Sequence, residues 1–420
     1  MLVVGMLAMI AGSTSQYGLA YLIPAFRGEG LSLEQASVLV ACPTAGVLLT
    51  LIAWGAAADR WGERVVLGTG LGLAGLILIA ARWAPGTVSL GVCLALSGAA
   101  GASVLASGRL ILGWFARHER ALAMGIRQSA QPIGLALAAA TLPALGASGT
   151  SVPLSFLGTL FLAAAIAAVV LVRDPAEPPS APDQKPSAPD QKTTPTSPYR
   201  TPILWRIHAA SALLVIPQFT VTTFALVFLT DTRGWSALTA GHVLAGAQAC
   251  GALGRLGAGY WSDRIDSRMK PMRMIAVSTG AGMLALAGAA AAGWGLAVPI
   301  LLILGVVAVS TNGLSFTAVA EHAGSAWAGR ALGIQTTGQN VLAAATPPVL
   351  AVAIGAAGFA SSFAVVAVIP LIAAVLVPVV AERTSTATAG ADRQAQSRTD
   401  ARPSRRRPPV SRRRRWFLAR

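Results

Sequence analysis

The sequence predicts an all-α membrane protein with twelve transmembrane helices in two pseudo-symmetric halves of six helices each. Hydrophobic residues make up 54% of its 420 residues and the mean hydropathy is +0.64, far above the values of ordinary soluble domains. These residues form unbroken runs long enough to cross a bilayer, rather than the stripes of a helix that is half covered by water. Several motifs also recur about half a chain apart, as in membrane proteins built from internal repeats.

One short stretch concentrates the charges, although charged residues are only 11% of the chain. Four of them fall within six positions between two long apolar runs. Since a spanning helix takes roughly 20 residues, the stretch is predicted to be a very short loop between the second and third spans. Its arginines predict a cytoplasmic position. The four charges are Asp59, Arg60, Glu63 and Arg64.

This stretch and two others repeat at similar distances. The pattern Gly-x-x-x-Asp-Arg that ends at Arg60 returns 204 residues later, ending at Arg264. Gln16, followed by an aromatic residue, matches Gln218, 202 residues later. The segment that starts at Gly125 aligns with the one that starts 208 residues later. Three repeats at similar shifts are hard to ascribe to composition, so they predict two related halves.

The domain boundaries follow from the apolar runs. The spans are predicted near residues 2–26, 35–57, 64–83, 87–115, 121–145, 151–172, 205–230, 237–261, 271–292, 296–320, 330–354 and 358–380. The first half is predicted to cover residues 1–172, and the second half residues 203–381. The intervening residues 173–202 are rich in proline and repeat Ser-Ala-Pro-Asp-Gln-Lys, so they are predicted to be a disordered linker.

Lysine and arginine placement predicts the orientation in the membrane. The loops after even-numbered spans, the linker and the tail hold most of these residues, whereas the outer loops offer only Arg27, Arg82 and Arg233. Both termini are therefore expected to face the cytoplasm, in the inner or plasma membrane. No basic region precedes the first apolar run, so no signal peptide is expected.

The tail, residues 382–420, is predicted to be basic and disordered. Its arginine runs at 405–407 and 412–415 add seven positive charges to a formal net charge of +16. Beside spanning helices the nearest polyanion is the cytoplasmic lipid surface, so nucleic acid is not an expected partner. Anionic lipid binding and a merely solvated tail both stay open.

These features together resemble the major facilitator superfamily. Gly-x-x-x-Asp-Arg-x-Gly-x-Arg between the second and third spans is similar to the signature loop of that family, and the weaker copy after the eighth span, with Asp266 in the place of Gly62, is also typical of it. The resemblance covers about residues 1–381. It implies a secondary transporter that moves a small solute by alternating access, with spans 1, 4, 7 and 10 around a central cavity.

Polar residues inside the spans are the candidates for solute binding, because placing them in lipid is costly. The arginines among them are Arg109, Arg127 and Arg255. Arg127 and Gln131 share a helix face. Gln335 and Gln339 occupy the aligned positions, which predicts two polar faces that meet across the pathway. The alternative for Arg127, that it only reaches back to the interface, stays open.

By resemblance, Arg255 lies where the nitrate and monocarboxylate porters of the superfamily have an arginine that contacts the anion. The nitrate porters add an arginine in the second span, where this chain has Leu51. A gate residue that holds helix ends is the alternative for Arg255. For the remaining polar candidates the alternative is helix–helix hydrogen bonding. These candidates are Gln16, Tyr17, Tyr21, Gln218, Thr222 and Asn312.

The resemblance also implies a gate at the cytoplasmic side. In the superfamily the signature aspartate meets the start of the eleventh span when this side is closed, and a helix start favours an anion. By the internal repeat, the second aspartate is expected at the start of the fifth span. The predicted gate residues are Asp59, Arg60, Arg64, Arg120, Asp263, Arg264 and Arg330.

Other functional classes lack support. The sequence contains no Gly-x-x-x-x-Gly-Lys-Ser/Thr loop, which is the pattern that binds ATP phosphates. No aspartate or glutamate lies in the middle of a predicted span. The four histidines and three cysteines show no ligand spacing. We therefore expect no catalytic residue, cofactor or metal, and a monomer in the bilayer. The predicted cargo is a small organic anion, since arginines outnumber acids within the spans. A multidrug or metabolite exporter and a transport-dead membrane sensor are the alternatives.

Overall fold

The computed structural model of the protein describes residues 2–106, 120–172, 197–324, 327–380 and 382. In these ranges the chain is almost entirely helical and has no β-strand. The side chains of residues 2, 59, 106 and 120–126 are outside the description. The candidate Arg109, most of the predicted linker and nearly all of the tail also lie outside the described residues.

The described residues before the linker form helices α1 (Leu2–Gln16), α2 (Ile23–Gly28), α3 (Leu33–Trp61), α4 (Glu63–Ala81), α5 (Thr87–Gly101), α6 (Ser103–Ala106), α7 (Arg120–Leu145) and α8 (Ser151–Leu171). Those after it form α9 (Pro202–Arg233), α10 (Ala237–Arg264), α11 (Met269–Ala291), α12 (Ala297–Val309), α13 (Thr311–Ala323) and α14 (Ala328–Leu376). Short 3-10 helices cover Gly18–Leu22, Gly146–Ser148 and Pro198–Arg200.

The predicted all-helical membrane fold is confirmed. In the described ranges, nine helical stretches are long and apolar enough to cross a membrane. Large apolar side chains on them face outward, as lipid contact requires: Leu49 is 82% exposed and Val375 is 74% exposed. One of the nine, α14, consists of two helical arms that meet at a kink at Gly358, where φ is +78°. The helices α1 and α10 are not among the nine, so the count of twelve stays a prediction.

Local sequence signals explain where the helices begin and end. α3 begins with a capping box, in which the Ser32 hydroxyl accepts from the backbone N–H of Gln35 and the Gln35 side chain accepts from the backbone N–H of Ser32. Ser236, 204 residues later, caps α10 by accepting from the backbone N–H of Thr239. Gly62 caps the end of α3, and its φ of +79°, which suits glycine, allows the very short loop before α4.

Two extensive helix–helix contacts join the helices before the linker to those after it. α3 packs on the first arm of α14, and α7 packs on α10. We name the end of the bundle that carries Gly62 the inner end and the end that carries Gly30 the outer end, after the predicted topology. At the outer end Nη1 of Arg27 lies 2.5 Å from Oδ2 of Asp231. Phe26 and Phe224 are fully buried there, so the outer end is closed.

Part of the predicted linker is ordered. Residues Pro198–Arg200 form a 3-10 helix, and α9 starts at Pro202. Tyr199 explains the difference, because its ring packs on Trp205 and stacks on His208, with centroid separations of 5.0 and 5.9 Å. An aromatic anchor of this kind is invisible to a composition argument that treats the whole proline-rich segment as disordered.

The orientation of the bundle can be tested with reporters. A reporter enzyme inserted after Arg200, at the inner end, is expected to be cytoplasmic, whereas one inserted after Gly86, at the outer end, is expected to be external. The physical reason is the retention of lysine and arginine on the cytoplasmic side. Reporter activity and protease accessibility in intact cells measure both positions, and external activity at Arg200 would reverse the assignment.

Candidate functional site

A central cavity of about 1160 Å³ lies between the two sets of helices. Its walls come from α1, α3, α5, α6, α7, α9, α10, α13 and α14, with Phe161 from α8. Toward the inner end the lining continues to Gly55 near the end of α3 and to Arg330 at the start of α14. Since the opposite end is closed by buried side chains, the cavity opens at the inner end.

Most predicted solute-binding residues line this cavity. They are Gln16, Tyr17, Arg127, Gln131, Gln218, Arg255, Asn312 and Gln339. Three described candidates lie elsewhere, which corrects their expected placement. Thr222 is 8% exposed, and its hydroxyl donates to the carbonyl of Gln218 in its own helix at 3.0 Å. Tyr21 is 2% exposed and packs in the closed outer end, because the 3-10 turn after Tyr17 rotates it away from the cavity. Gln335 is 1% exposed, because it is one turn from Gln339 but faces α9.

Arg255 is held by three hydrogen bonds, each 3.0 Å long. Its Nη1 donates to the carbonyl of Gln128 and its Nη2 to Oε1 of Gln131, both on α7. The Gln128 carbonyl is available because Pro132, four residues later, has no N–H to complete the helix bond. Nε donates to the carbonyl of Val309, where α12 ends. The guanidinium therefore ties α10 to α7 and α12 at the cavity wall.

Arg127 lies on α7 and is 6% exposed. Its Nη2 donates to the carbonyl of Val104 in α6, at 3.0 Å. Glu63, buried at the start of α4, interacts with it electrostatically. This placement favours a position of Arg127 at the cavity wall over the alternative, in which its side chain only extends back to the membrane interface.

Residues of the internal repeat meet near the centre of the cavity. The ring of Tyr17 contacts that of Phe219 edge to face, with centroids 5.3 Å apart, and these residues follow the repeated glutamines. Oε1 of Gln218 accepts from Nδ2 of Asn312 at 3.1 Å. Nε2 of Gln16 donates to Oδ1 of Asn340 at 3.3 Å, which links α1 to α14. The repeat therefore brings matching positions of the two halves to one place.

Sequence reasoning missed Asn340, although one signal was present. An asparagine in the interior of an apolar span is costly unless it has a partner, and Asn340 directly follows the candidate Gln339. Gln128 was also missed. Its signal is the proline four residues later, which frees its carbonyl for an outside donor.

Four of the predicted gate residues contact neighbours outside the predicted gate. Arg330 lines the cavity with its guanidinium 5.1 Å from the ring centroid of Trp327. Arg64 donates from Nε to the carbonyl of Val169 at 2.7 Å. Arg60 and Arg264 lie over the adjacent rings of Trp61 and Tyr260.

The predicted contacts of the two gate aspartates belong to the state in which the inner end is closed. Asp263 pairs with Arg268, which also binds Glu321 at 3.2 Å. Burial lowers the pKa of Arg268, but the hydrogen bonds and charges of these two acids outweigh it and raise the pKa above its usual value. The side chains of Asp59 and Arg120 lie outside the described residues. Because the inner end is open here, the contacts of both aspartates with helix starts stay predictions.

The chemical character of the cavity follows from these placements. Its described lining contains three arginines, no aspartate and no glutamate, and the rest is mainly apolar side chains and amides. In the described part of the chain Arg255 forms no ion pair with an acid, since its three partners are two carbonyls and an amide. The cavity is thus a positively charged, largely apolar space with several amide hydrogen-bonding groups.

Comparisons with known proteins agree with this architecture. The sequence profile of the Major Facilitator Superfamily matches residues 4–347. The uncharacterised MFS-type transporter Rv2994 of Mycobacterium tuberculosis is 42% identical over 367 residues, covering 86% of this chain and 80% of that relative.

Solved structures are similar in fold. A bacterial homologue of the human lysosomal transporter Spinster, in an inward-facing and occupied conformation, has a TM-score of 0.72 at 14% identity, covering 89% of this chain and 95% of that one. A D-xylose–proton symporter has a TM-score of 0.68 at 16% identity, covering 90% of this chain and 96% of that one. Taken with the profile match over most of the sequence and the 42% identical relative, the chain belongs to the Major Facilitator Superfamily and is an integral membrane protein.

Proposed function

We propose that this secondary transporter carries a small organic anion with an apolar portion. The observation that supports the cargo is the described cavity lining, which has three arginines and no carboxylate. Arg255, whose hydrogen-bond partners in the described residues are two carbonyls and an amide, attracts an anion in this partly dehydrated cavity more strongly than it would in water, since the effective dielectric constant is lower. The apolar walls contributed by Leu51, Phe161 and Phe316 suit a hydrocarbon portion.

Arg255 is the main candidate for the anion contact. A guanidinium has five N–H donors, and the protein uses three of those on Arg255. One N–H therefore remains on each terminal nitrogen. The three bonds to backbone and amide oxygens also fix the guanidinium in place, so that little side-chain entropy is lost when an anion binds. Arg127 lines the same cavity, but Glu63 interacts with its charge, which leaves Arg255 as the stronger candidate.

A multidrug or metabolite exporter is the second candidate. The volume of about 1160 Å³ is larger than most sites for a single small metabolite, which favours a bulky cargo. A cationic drug is disfavoured, however, because the arginines in the described lining would repel it. A neutral or anionic bulky compound is compatible with the cavity.

Transport is proposed to alternate between the ends of the bundle. In the described state the outer end is closed around the Arg27–Asp231 pair and the cavity opens at the inner end. The Spinster homologue of similar fold is inward-facing. In the other state Asp59 and Asp263 would close the inner end at the starts of α14 and α7, in a plasma or inner membrane with both termini cytoplasmic. The protein would then act as a monomer, and the lipid bilayer would be its main partner besides the solute.

Counterflow in proteoliposomes tests the cargo. Vesicles loaded with one unlabelled solute and supplied with the labelled solute outside are assayed for lactate, benzoate, succinate, alanine, glucose and a cationic dye, with and without a pH gradient. At least one carboxylate is expected to exchange well above protein-free vesicles, and the cationic dye is not. Sugar or cation exchange without carboxylate exchange would contradict the anion proposal, and the absence of any flux would favour a transport-dead sensor.

A further inference from the structure

Two amide side chains that the cargo proposal does not use form a pair on the cavity wall. Nδ2 of Asn312 on α13 donates to Oε1 of Gln218 on α9 at 3.1 Å, and both residues line the cavity. Gln218 is only 4% exposed, and among the described residues its Nε2 has no hydrogen-bond partner. Packing does not enclose this nitrogen, so its N–H groups are accessible from the cavity.

The pair offers a ligand one –NH2 group and one oxygen, whichever way its amides are turned. In the arrangement described, the –NH2 group of Gln218 and the side-chain oxygen of Asn312 remain without a partner among the described residues. If both amides turn over, the oxygen of Gln218 and the –NH2 group of Asn312 remain instead. A hydroxyl group both donates and accepts, so it can satisfy both sides of the pair with a single oxygen. A hydrocarbon at the same place leaves a buried amide unpaired, which is costly.

The amide pair lies close to the guanidinium that is proposed to bind the carboxylate. Nε of Arg255 donates to the carbonyl of Val309 at 3.0 Å, and Asn312 follows Val309 by three residues, about one helical turn. Residues one turn apart carry their side chains roughly 5–6 Å apart. A carboxylate and a hydroxyl on the adjacent carbon, each making a hydrogen bond of about 3 Å, span a distance of this order.

A second set of contacts connects the same two places. The ring of Tyr17 lies edge to face with that of Phe219, the residue after Gln218. The hydroxyl of Tyr17 is also near enough to Arg255 for the two groups to interact electrostatically. The guanidinium, the tyrosine hydroxyl and the amide pair therefore line one compact part of the cavity, within reach of a single small molecule.

The charges of the cavity disfavour an amino acid at this place. An amino acid carries an ammonium on the carbon where a 2-hydroxy acid carries its hydroxyl. The described lining has no aspartate or glutamate that could compensate for this charge. The ammonium would also lie near Arg255, and like charges repel more strongly in a partly dehydrated cavity than in water. A neutral hydrogen-bonding group is the better match.

We propose that Gln218 and Asn312 form a hydroxyl-binding subsite and that the transported anion is a 2-hydroxy carboxylate with an apolar tail. The carboxylate binds at Arg255, the hydroxyl bridges the amide pair, and the tail lies against the apolar walls of the cavity. The inference rests on the proposed function for the carboxylate and adds the neutral group beside it. Specificity then comes from the amides that stay unpaired when the hydroxyl is missing.

Pairs of carboxylates that differ only by the hydroxyl test the subsite. 3-Phenyllactate and 3-phenylpropionate form one pair, and 2-hydroxy-4-methylpentanoate and 4-methylpentanoate form the other. Their affinities are measured by calorimetry on the purified full-length protein in lipid nanodiscs. We expect the hydroxy acid of a pair to bind at least about fivefold more tightly than its partner, because a site that hydrogen-bonds a hydroxyl rejects the analogue without it. Phenylalanine is expected to bind more weakly than 3-phenyllactate.

A double variant, Gln218→Met with Asn312→Leu, assigns the preference to the amide pair. It replaces both amides by apolar side chains of similar size, so that neither amide is left unpaired. The affinity for the hydroxy acid is expected to fall to that of its partner, while the affinity for the plain carboxylate changes by less than about twofold. A purely structural role of the amides would weaken both compounds alike. Arg255→Gln, in contrast, should weaken both compounds and keep the preference.

Thr220→Val is the matched control on the same helix. Thr220 is fully buried outside the cavity lining, and its hydroxyl donates to the carbonyl of Ile216 in its own helix at 2.8 Å. The substitution removes a hydroxyl two residues from Gln218 without changing the volume much. The Thr220→Val protein should therefore keep the wild-type preference for the hydroxy acid.

The outcomes separate the subsite from the cargo proposal. If neither these compounds nor any carboxylate of the counterflow panel binds, the cargo proposal and the subsite are overturned together. If a carboxylate binds or exchanges but the hydroxy acids bind no more tightly than their partners, the subsite alone is overturned. If the preference exists but persists in the double variant, its assignment to Gln218 and Asn312 is overturned. A preference that is lost in the double variant and kept in Thr220→Val supports the whole proposal.

Discussion

Arg255→Gln is expected to reduce carboxylate exchange by at least about tenfold. The substitution removes the charge and the N–H groups that remain for an anion. A hydrogen bond to a charged group contributes about 1.5–3 kcal/mol, which corresponds to roughly 10- to 150-fold in affinity. Arg255→Lys is expected to recover little, because an ammonium is a point charge that cannot span Val309, Gln128 and Gln131 at once. Counterflow rates and carboxylate affinity in detergent measure the effect.

The main competing explanation is that Arg255 serves only to hold helices together. In that case the Gln variant would melt at a lower temperature but bind the carboxylate with unchanged affinity once folded. Arg273→Gln is the matched control, since Arg273 is an exposed arginine on α11 away from the cavity. Wild-type affinity in a stable, monodisperse Arg255→Gln protein would remove this residue from the binding site.

Gly241→Val is expected to shift the protein away from the state with a closed outer end. A Cβ atom at Gly241 of α10 would lie 2.4 Å from the carbonyl oxygen of Ala139 and 2.8 Å from Pro143 Cγ on α7. These distances are too short for a carbon contact, so α10 and α7 must separate. Overpacking of this kind costs about 1–3 kcal/mol, which changes a two-state ratio roughly 5- to 150-fold. Because this clash arises in the arrangement with the closed outer end, the outer-open state should gain population.

Spin labels report this change directly. Cysteines placed at Trp83 and Trp294, which are exposed at the outer end on opposite sides of the linker in sequence, would carry the labels. The native cysteines Cys42, Cys93 and Cys250 would first be replaced by alanine. The Gly241→Val protein should show longer distances than the parent, together with slower counterflow.

Gly246→Val on the same helix is the control for this substitution. Nothing lies within 4 Å of a Cβ atom at that position, so its distances should match those of the parent. A folded Gly241→Val protein with an unchanged distance distribution would show that the α7–α10 contact does not close the outer end. In that case another contact, such as the ion pair at Arg27, must act as the gate.

The helical membrane fold can be predicted from the sequence because the relevant signals are local. Uninterrupted apolar runs give the spans, Ser32 gives a helix start, and Gly62 gives a helix end, each through interactions within a few residues. The scarcity of charge made the signature loop visible, and its repetition indicated the family. The candidate arginines were found for the same reason, since a charged residue is rare in an apolar run and costly in lipid.

The partners of the polar residues depend on how helices from distant parts of the sequence pack. Gln335 and Gln339 are one turn apart and look equivalent in the sequence, yet Gln335 turns to His208 and Gln339 to the cavity. A rotation of a helix by a fraction of a turn decides between these positions, and that rotation is set by packing against α9.

The tertiary arrangement also decides which end is open and which groups are satisfied. Arg255 finds its acceptors on α7 and α12, more than 50 residues away in sequence, and one of them exists only because Pro132 frees a carbonyl. The histidines appeared scattered along the chain, whereas α9 and α14 join one of them to the cavity through amides. Local sequence sets the cost of each buried polar group, and only the packed helices determine the neighbours that compensate for it.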